Sequence, residues 1–132
     1  MRVVVVGASS GLGRCIGVDQ GQRGHKVALL ARRQHRLVEA AEEAGPGTLA
    51  IACDVTDEES CQAAIEEAAA GLGGIDAIIY ASGIGPLSRF ETIGAATWRK
   101  AFDTNVIGAA LITAAALSCR EASGGVAATC PR

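Results

Sequence analysis

The sequence predicts an α/β fold, a parallel sheet wrapped on both faces by crossover helices. Three observations lead there. Strand-like and helix-like segments alternate along the 132 residues with short connections between them. The first strand, Val3-Val4-Val5-Val6, is a β-branched run with no polar alternation, the pattern of a strand buried on both faces. It runs directly into Gly7-Ala8-Ser9-Ser10-Gly11-Leu12-Gly13, where glycine lets the chain leave a buried strand in a tight turn and pack the next helix closely on the sheet.

In chain order the strands are expected at about 2–6, 26–31, 48–53 and 75–80, with helices at about 11–23, 34–44, 57–71 and 96–119. Gly17, Asp19 and Gly21 oppose the first helix by propensity. Gly24 precedes the second strand, Gly45-Pro46-Gly47 stops the second helix, and Gly71, Gly73 and Gly74 stop the third. Thr56 followed by Glu59 is a capping box that opens the third helix. The long helix carries Phe102, Val106, Ile107, Leu111, Ile112 and Leu117, too apolar a set to be solvated on all sides, so core positions are expected for them. Trp98 is expected to anchor its start.

Right-handed crossovers put the four strands in the order 3-2-1-4, with a switch point between the first and fourth. The expectation is a Rossmann-type doubly wound parallel sheet forming a single domain over 1–132. It is incomplete at the C-terminus, with at most a partial fifth strand after Gly124. Composition adds exclusions. The 12 basic residues are outnumbered by 14 acidic ones and aromatic residues are few, which argues against a nucleic-acid partner. Cysteines at 15, 53, 61, 119 and 130 form no C-x-x-C pair, so free thiols in a reducing compartment are expected and no metal site. The longest uncharged stretch, 104–119, is 16 residues, short of the ~20 that span a bilayer. A cytoplasmic protein with no membrane partner is expected.

Candidate binding residues fall after the carboxyl ends of the strands. The backbone of Gly7, Ser9, Ser10, Gly11, Leu12 and Gly13 can approach a pyrophosphate, aided by the positive end of the new helix. The second strand ends at Ala31-Arg32-Arg33, where NAD-binding proteins place an acidic side chain for the ribose hydroxyls. A guanidinium there binds a 2′-phosphate through charge-assisted hydrogen bonds, so NADP (NADPH) is expected over NAD. The residues by themselves leave open which arginine touches phosphate, and Arg32, Arg33 and Arg36 equally suit a solvated helix start. Asp54 and Val55, after the third strand, can bracket the amino edge of adenine, or Asp54 can serve turn amides. Ala81, Ser82 and Gly83 are small enough to let backbone approach a ribose, or form a plain surface loop.

Together these residues resemble the amino-terminal half of the short-chain dehydrogenase/reductase family. Gly7-x-x-x-Gly11-x-Gly13 resembles its cofactor loop, Asp54-Val55 its adenine contact, Tyr80-Ala81-Ser82-Gly83 its strand-four motif, and Asn105-Val106-x-Gly108 its helix-borne asparagine. The strand-four motif departs from the family, which usually has two asparagines where Tyr80 and Ala81 stand. The resemblance implies an NAD(P)-dependent oxidoreductase in which Asn105 is catalytic, helping to hold a proton-relay water, and in which the helix 96–119 contributes to a homo-oligomer. It also implies a tyrosine with a lysine four residues later. Here the single tyrosine, Tyr80, is followed at that spacing by Ile84, and the lysines are Lys26 and Lys100. Thr129 is the hydroxyl nearest the family's fifth-strand serine. The expected function is NADP-dependent hydride transfer to or from a carbonyl or alcohol, catalytically incomplete as the chain stands, with a marginal or aggregation-prone monomer. The alternatives are a non-enzymatic NADP-binding module or partner subunit, or a truncated or frameshifted product.

Overall fold

The computed structural model describes residues 1–122, with side-chain environments through residue 119; the expected partial fifth strand and Thr129 lie outside the described residues. The described chain runs β1 (Arg2–Val6), α1 (Gly11–Gln22), β2 (Lys26–Ala31), α2 (Gln34–Ala44), β3 (Leu49–Ala52), α3 (Glu58–Leu72), β4 (Ala77–Tyr80), a 3-10 turn (Phe90–Thr92), α4 (Ala95–Phe102), a π-helical turn (Asp103–Ile107) and α5 (Gly108–Ala122). All strand pairs are parallel and the order is β3-β2-β1-β4, as the crossover rule requires.

The four valines of β1 show why the sheet is wrapped on both sides. Successive strand residues point to opposite faces. Val3 and Val5 join Val27, Leu29, Leu37 and Ala40 in the core beneath α1 and α2. Val4 and Val6 join Leu30, Ile51, Ile65 and Ile112 in the core beneath α3 and α5. Each valine is at most 1% exposed, and full burial of such a side chain contributes about 1.5–3 kcal/mol. The glycines that oppose α1 by propensity are explained by packing: a Cβ on Gly21 would stand 2.6 Å from the Ala44 carbonyl oxygen at the end of α2.

Three expectations need correction. The third helix is capped by Asp57, not Thr56. Asp57 has extended backbone and its carboxylate accepts the Ser60 amide at 2.8 Å, whereas the Thr56 hydroxyl donates to Asp54 Oδ1 at 2.7 Å. The long helix is interrupted by the π-helical turn, because the Gly108 amide reaches back to the Asp103 carbonyl, one residue beyond its α-helical partner. Finally, of its six large apolar side chains only Ile112 is fully buried, and Leu111 packs in part. Phe102, Val106, Ile107 and Leu117 are half exposed, because the helix meets α3 through the narrow stripe Ile112, Ala115 and Ala116. The helical run from Ala95 to Cys119, π-turn included, is long and apolar enough to cross a membrane by length and composition, unlike the uncharged stretch alone, and it packs on α3 along one side. Trp98 anchors α4 through an edge-to-face contact with Phe90 at 5.7 Å.

Candidate nucleotide crevice

The carboxyl ends of the strands are held level by hydrogen bonds that continue the sheet into the loops. The Gly7 amide donates to the Leu30 carbonyl at 2.7 Å, the Ala81 amide to Val6 at 2.8 Å and the Cys53 amide to Ala31 at 3.0 Å. The loops after all four strands therefore open on one side, around a cleft of about 330 Å³ at the switch point. Gly7, Ser9, Ser10, Gly11 and Leu12 line one wall, and Arg32 and Arg33 the next. Asp54 and Val55, and Ala81, Ser82 and Gly83, complete it. Gly13 does not line the cleft; it packs under the loop against the Gly7 carbonyl and Ala81. Asn105 stands behind the wall and reaches it through Ile84, whose amide donates to Asn105 Oδ1 and whose carbonyl accepts from Nδ2, both at 2.8 Å.

Gly7 has φ +88° and a Cβ there would stand 2.7 Å from the Ser82 amide nitrogen, so the close approach of the first and fourth loops requires glycine. Ser10 occupies the N-cap of α1 but makes no side-chain cap, and no acidic residue lies in the first turn. The positive end of the helix therefore faces the cleft without a carboxylate to offset it. The Ser9 and Ser10 hydroxyls instead accept from the Arg33 guanidinium at 3.0 and 2.9 Å. Two hydroxyls, one guanidinium and a bare helix terminus thus converge on one point, and these residues fit the phosphates of a dinucleotide. The sequence left the choice of arginine open; it is Arg33 that bonds the serines.

Asp54 accepts the Thr56 amide at 3.0 Å and the Thr56 hydroxyl, and those bonds, with the nearby Arg32 charge, hold its carboxyl below the usual range. It serves turn amides as one sequence alternative has it, while still lining the cleft. Cys53 also lines the cleft, and burial, reinforced by Cys61, pushes its thiol up to about 12, which disfavours the thiolate at neutral pH. Tyr80 donates its hydroxyl to the Thr104 carbonyl at 2.5 Å, and burial raises its phenol to about 12. Cys53, Thr56, Ile84 and Thr104 also line the cleft. Sequence reasoning missed them as lining residues, although each lies within two residues of a motif that it did find.

A parallel α/β sheet with a crevice at its switch point is the architecture of the doubly wound, dinucleotide-binding class of protein. The family model for short chain dehydrogenases matches residues 1–130, and the chain belongs to that family. It is 34% identical over 128 residues to the 11-beta-hydroxysteroid dehydrogenase 1A of Arabidopsis thaliana, covering 93% of this chain and 37% of that protein. An alcohol dehydrogenase from the archaeon Thermococcus sibiricus, solved with 5-hydroxy-NADP, superposes with a TM-score of 0.83 at 26% identity, covering 93% of this chain and 54% of that one. A variant of the actinorhodin polyketide ketoreductase, solved with NADPH, shares the fold at TM-score 0.83 and 24% identity, over 92% of this chain and 49% of that one. The chain thus spans little more than a third of the curated relative and about half of each structure.

Proposed function

We propose that this chain, as a single domain over 1–132, binds NADP(H) in preference to NAD(H) and forms the nucleotide-binding part of an oxidoreductase for carbonyl or alcohol substrates. The observation that carries the proposal is Arg33 held on Ser9 and Ser10 beside the uncapped end of α1. A carboxylate at that point would repel a 2′-phosphate, whereas the guanidinium and hydroxyls donate to it. The 5-hydroxy-NADP complex of the archaeal relative supports the same cofactor class.

In this proposal Gly7, Gly11 and Leu12 present backbone to the pyrophosphate, and Gly13 lets α1 pack close enough for that. Arg32 and Arg33 select the 2′-phosphate. Asp54 and Val55 border the adenine, and Ala81, Ser82 and Gly83 border the ribose. The bound nicotinamide would supply or accept the hydride. Asn105 orders the loop beside it through Ile84. Tyr80 does not act as the acid, because its hydroxyl is committed to Thr104 and it has no lysine four residues later. Turnover is therefore not expected from these residues alone, and that same observation favours the second reading, an NADP-binding module or partner subunit. The half-exposed Phe102, Val106, Ile107 and Leu117 are proposed to meet a second copy of the chain in the cytoplasm.

Fluorescence titration of the chain with NADPH and with NADH tests the proposal. Tighter binding of NADPH is the expected result. Equal affinity would remove the NADP assignment, and no binding by folded protein would remove the nucleotide assignment altogether.

A further inference from the structure

We propose that Tyr80 is a positioning residue that fixes the π-helical turn and, through Asn105, the loop bounding the nucleotide crevice. The proposal takes its purpose from the nucleotide-binding reading, but its geometry stands independently of it. In the turn the Gly108 amide donates to Asp103, so the Thr104 carbonyl loses its α-helical donor. A carbonyl left without a partner in a partly buried place is costly. The Tyr80 hydroxyl fills that place at 2.5 Å, from the end of β4, 24 residues away in sequence.

The neighbouring residues fit this arrangement. A Cβ on Gly108 would stand 2.5 Å from the Tyr80 hydroxyl and 2.9 Å from Val55, so glycine gives the phenol its approach. The tyrosine ring packs against the core that holds Val55, Cys53 and Cys61. The phenol, protonated at neutral pH even at its ordinary value and raised further by burial, is a donor. Asn105 follows Thr104 directly and clamps both backbone groups of Ile84, which borders the crevice. Strand end, helical turn, asparagine and loop thus form one connected path. Tyr80 stands where the family's motif usually has asparagine, and the hydroxyl gives this chain its own means of tying the strand to the helix.

Amide hydrogen exchange at Ile84 tests the proposal without nucleotide. In Tyr80→Phe, which keeps the ring, Ile84 should exchange about tenfold faster, equivalent to about 1.4 kcal/mol. The double variant with Asn105→Ala should exchange no faster at Ile84 than Asn105→Ala alone, and NADPH affinity should fall by about threefold to tenfold in Tyr80→Phe. Unchanged Ile84 exchange in Tyr80→Phe would overturn the role of Tyr80. Failure of the wild-type chain to bind NADPH would overturn the nucleotide reading instead, leaving the exchange measurement to decide the positioning role. Should Tyr80→Phe not fold, the wild-type chain still decides, since it has no other tyrosine. A slowly exchanging hydroxyl proton with a through-space contact to Gly108 supports the bond, and its absence overturns it.

Discussion

Arg33 joins the second strand's exit to the glycine loop through two hydroxyls, and this fixes what its loss should do. Arg33→Ala should weaken NADPH binding by about 1.5–3 kcal/mol, the worth of a hydrogen bond to a charged group, and leave NADH binding nearly unchanged. Titration of the variant with both nucleotides checks this; a parallel loss for NADH would assign Arg33 to loop structure. At this scale the sequence was partly legible. The glycine spacing marked the crevice because few residue types permit that backbone. Which arginine bonds the serines was hidden, since it depends on where two long side chains turn. Tyr80 was visible as a departure from a motif, but its partner is a backbone carbonyl on a distant helix, which no sequence pattern encodes.

At the scale of elements, caps and ion pairs join the strands and helices that shape the crevice. Asp57→Ala should destabilise the fold by about 1 kcal/mol, the usual worth of an N-cap, measured by chemical denaturation; an unchanged midpoint would contradict the cap assignment. Arg2 on β1 pairs with Asp76 before β4, through its side chain at 2.5 and 3.1 Å and its amide at 2.8 Å. The Arg2 bonds lower the Asp76 carboxyl from the ordinary 3.8 to about 2. A depressed acid stabilises the fold above its unfolded pKa, and that contribution is lost as pH falls through the folded value. Stability should therefore decline between about pH 4 and about pH 2, and Asp76→Asn should flatten that part of the profile in urea titrations at stepped pH. The first strand was legible because its run of four valines suits burial on both faces. The interruption of the long helix was not, because one extra residue in a turn barely disturbs an apolar stripe.

The described residues build two cores on opposite faces of the sheet, and the strand ends meet at the crevice. That topology was legible from alternation and handedness together. The exposure of the long helix was not, because apolar content says that a side chain needs cover without saying what supplies it. Phe102, Val106, Ile107 and Leu117 are spread along this helical run and are half exposed. Reversible association is therefore expected on raising the protein concentration, seen by sedimentation velocity; a monomer at every concentration would contradict the proposed contact.

Under the proposed function this chain holds a nucleotide by its phosphates and selects the one with a 2′-phosphate. Calorimetric titration of the folded 132-residue chain with NADPH and with NADH tests it most directly. Saturable binding of both is expected, tighter for NADPH, with the difference abolished in Arg33→Ala. Equal affinities in the wild-type chain, or heat of dilution alone, would contradict it.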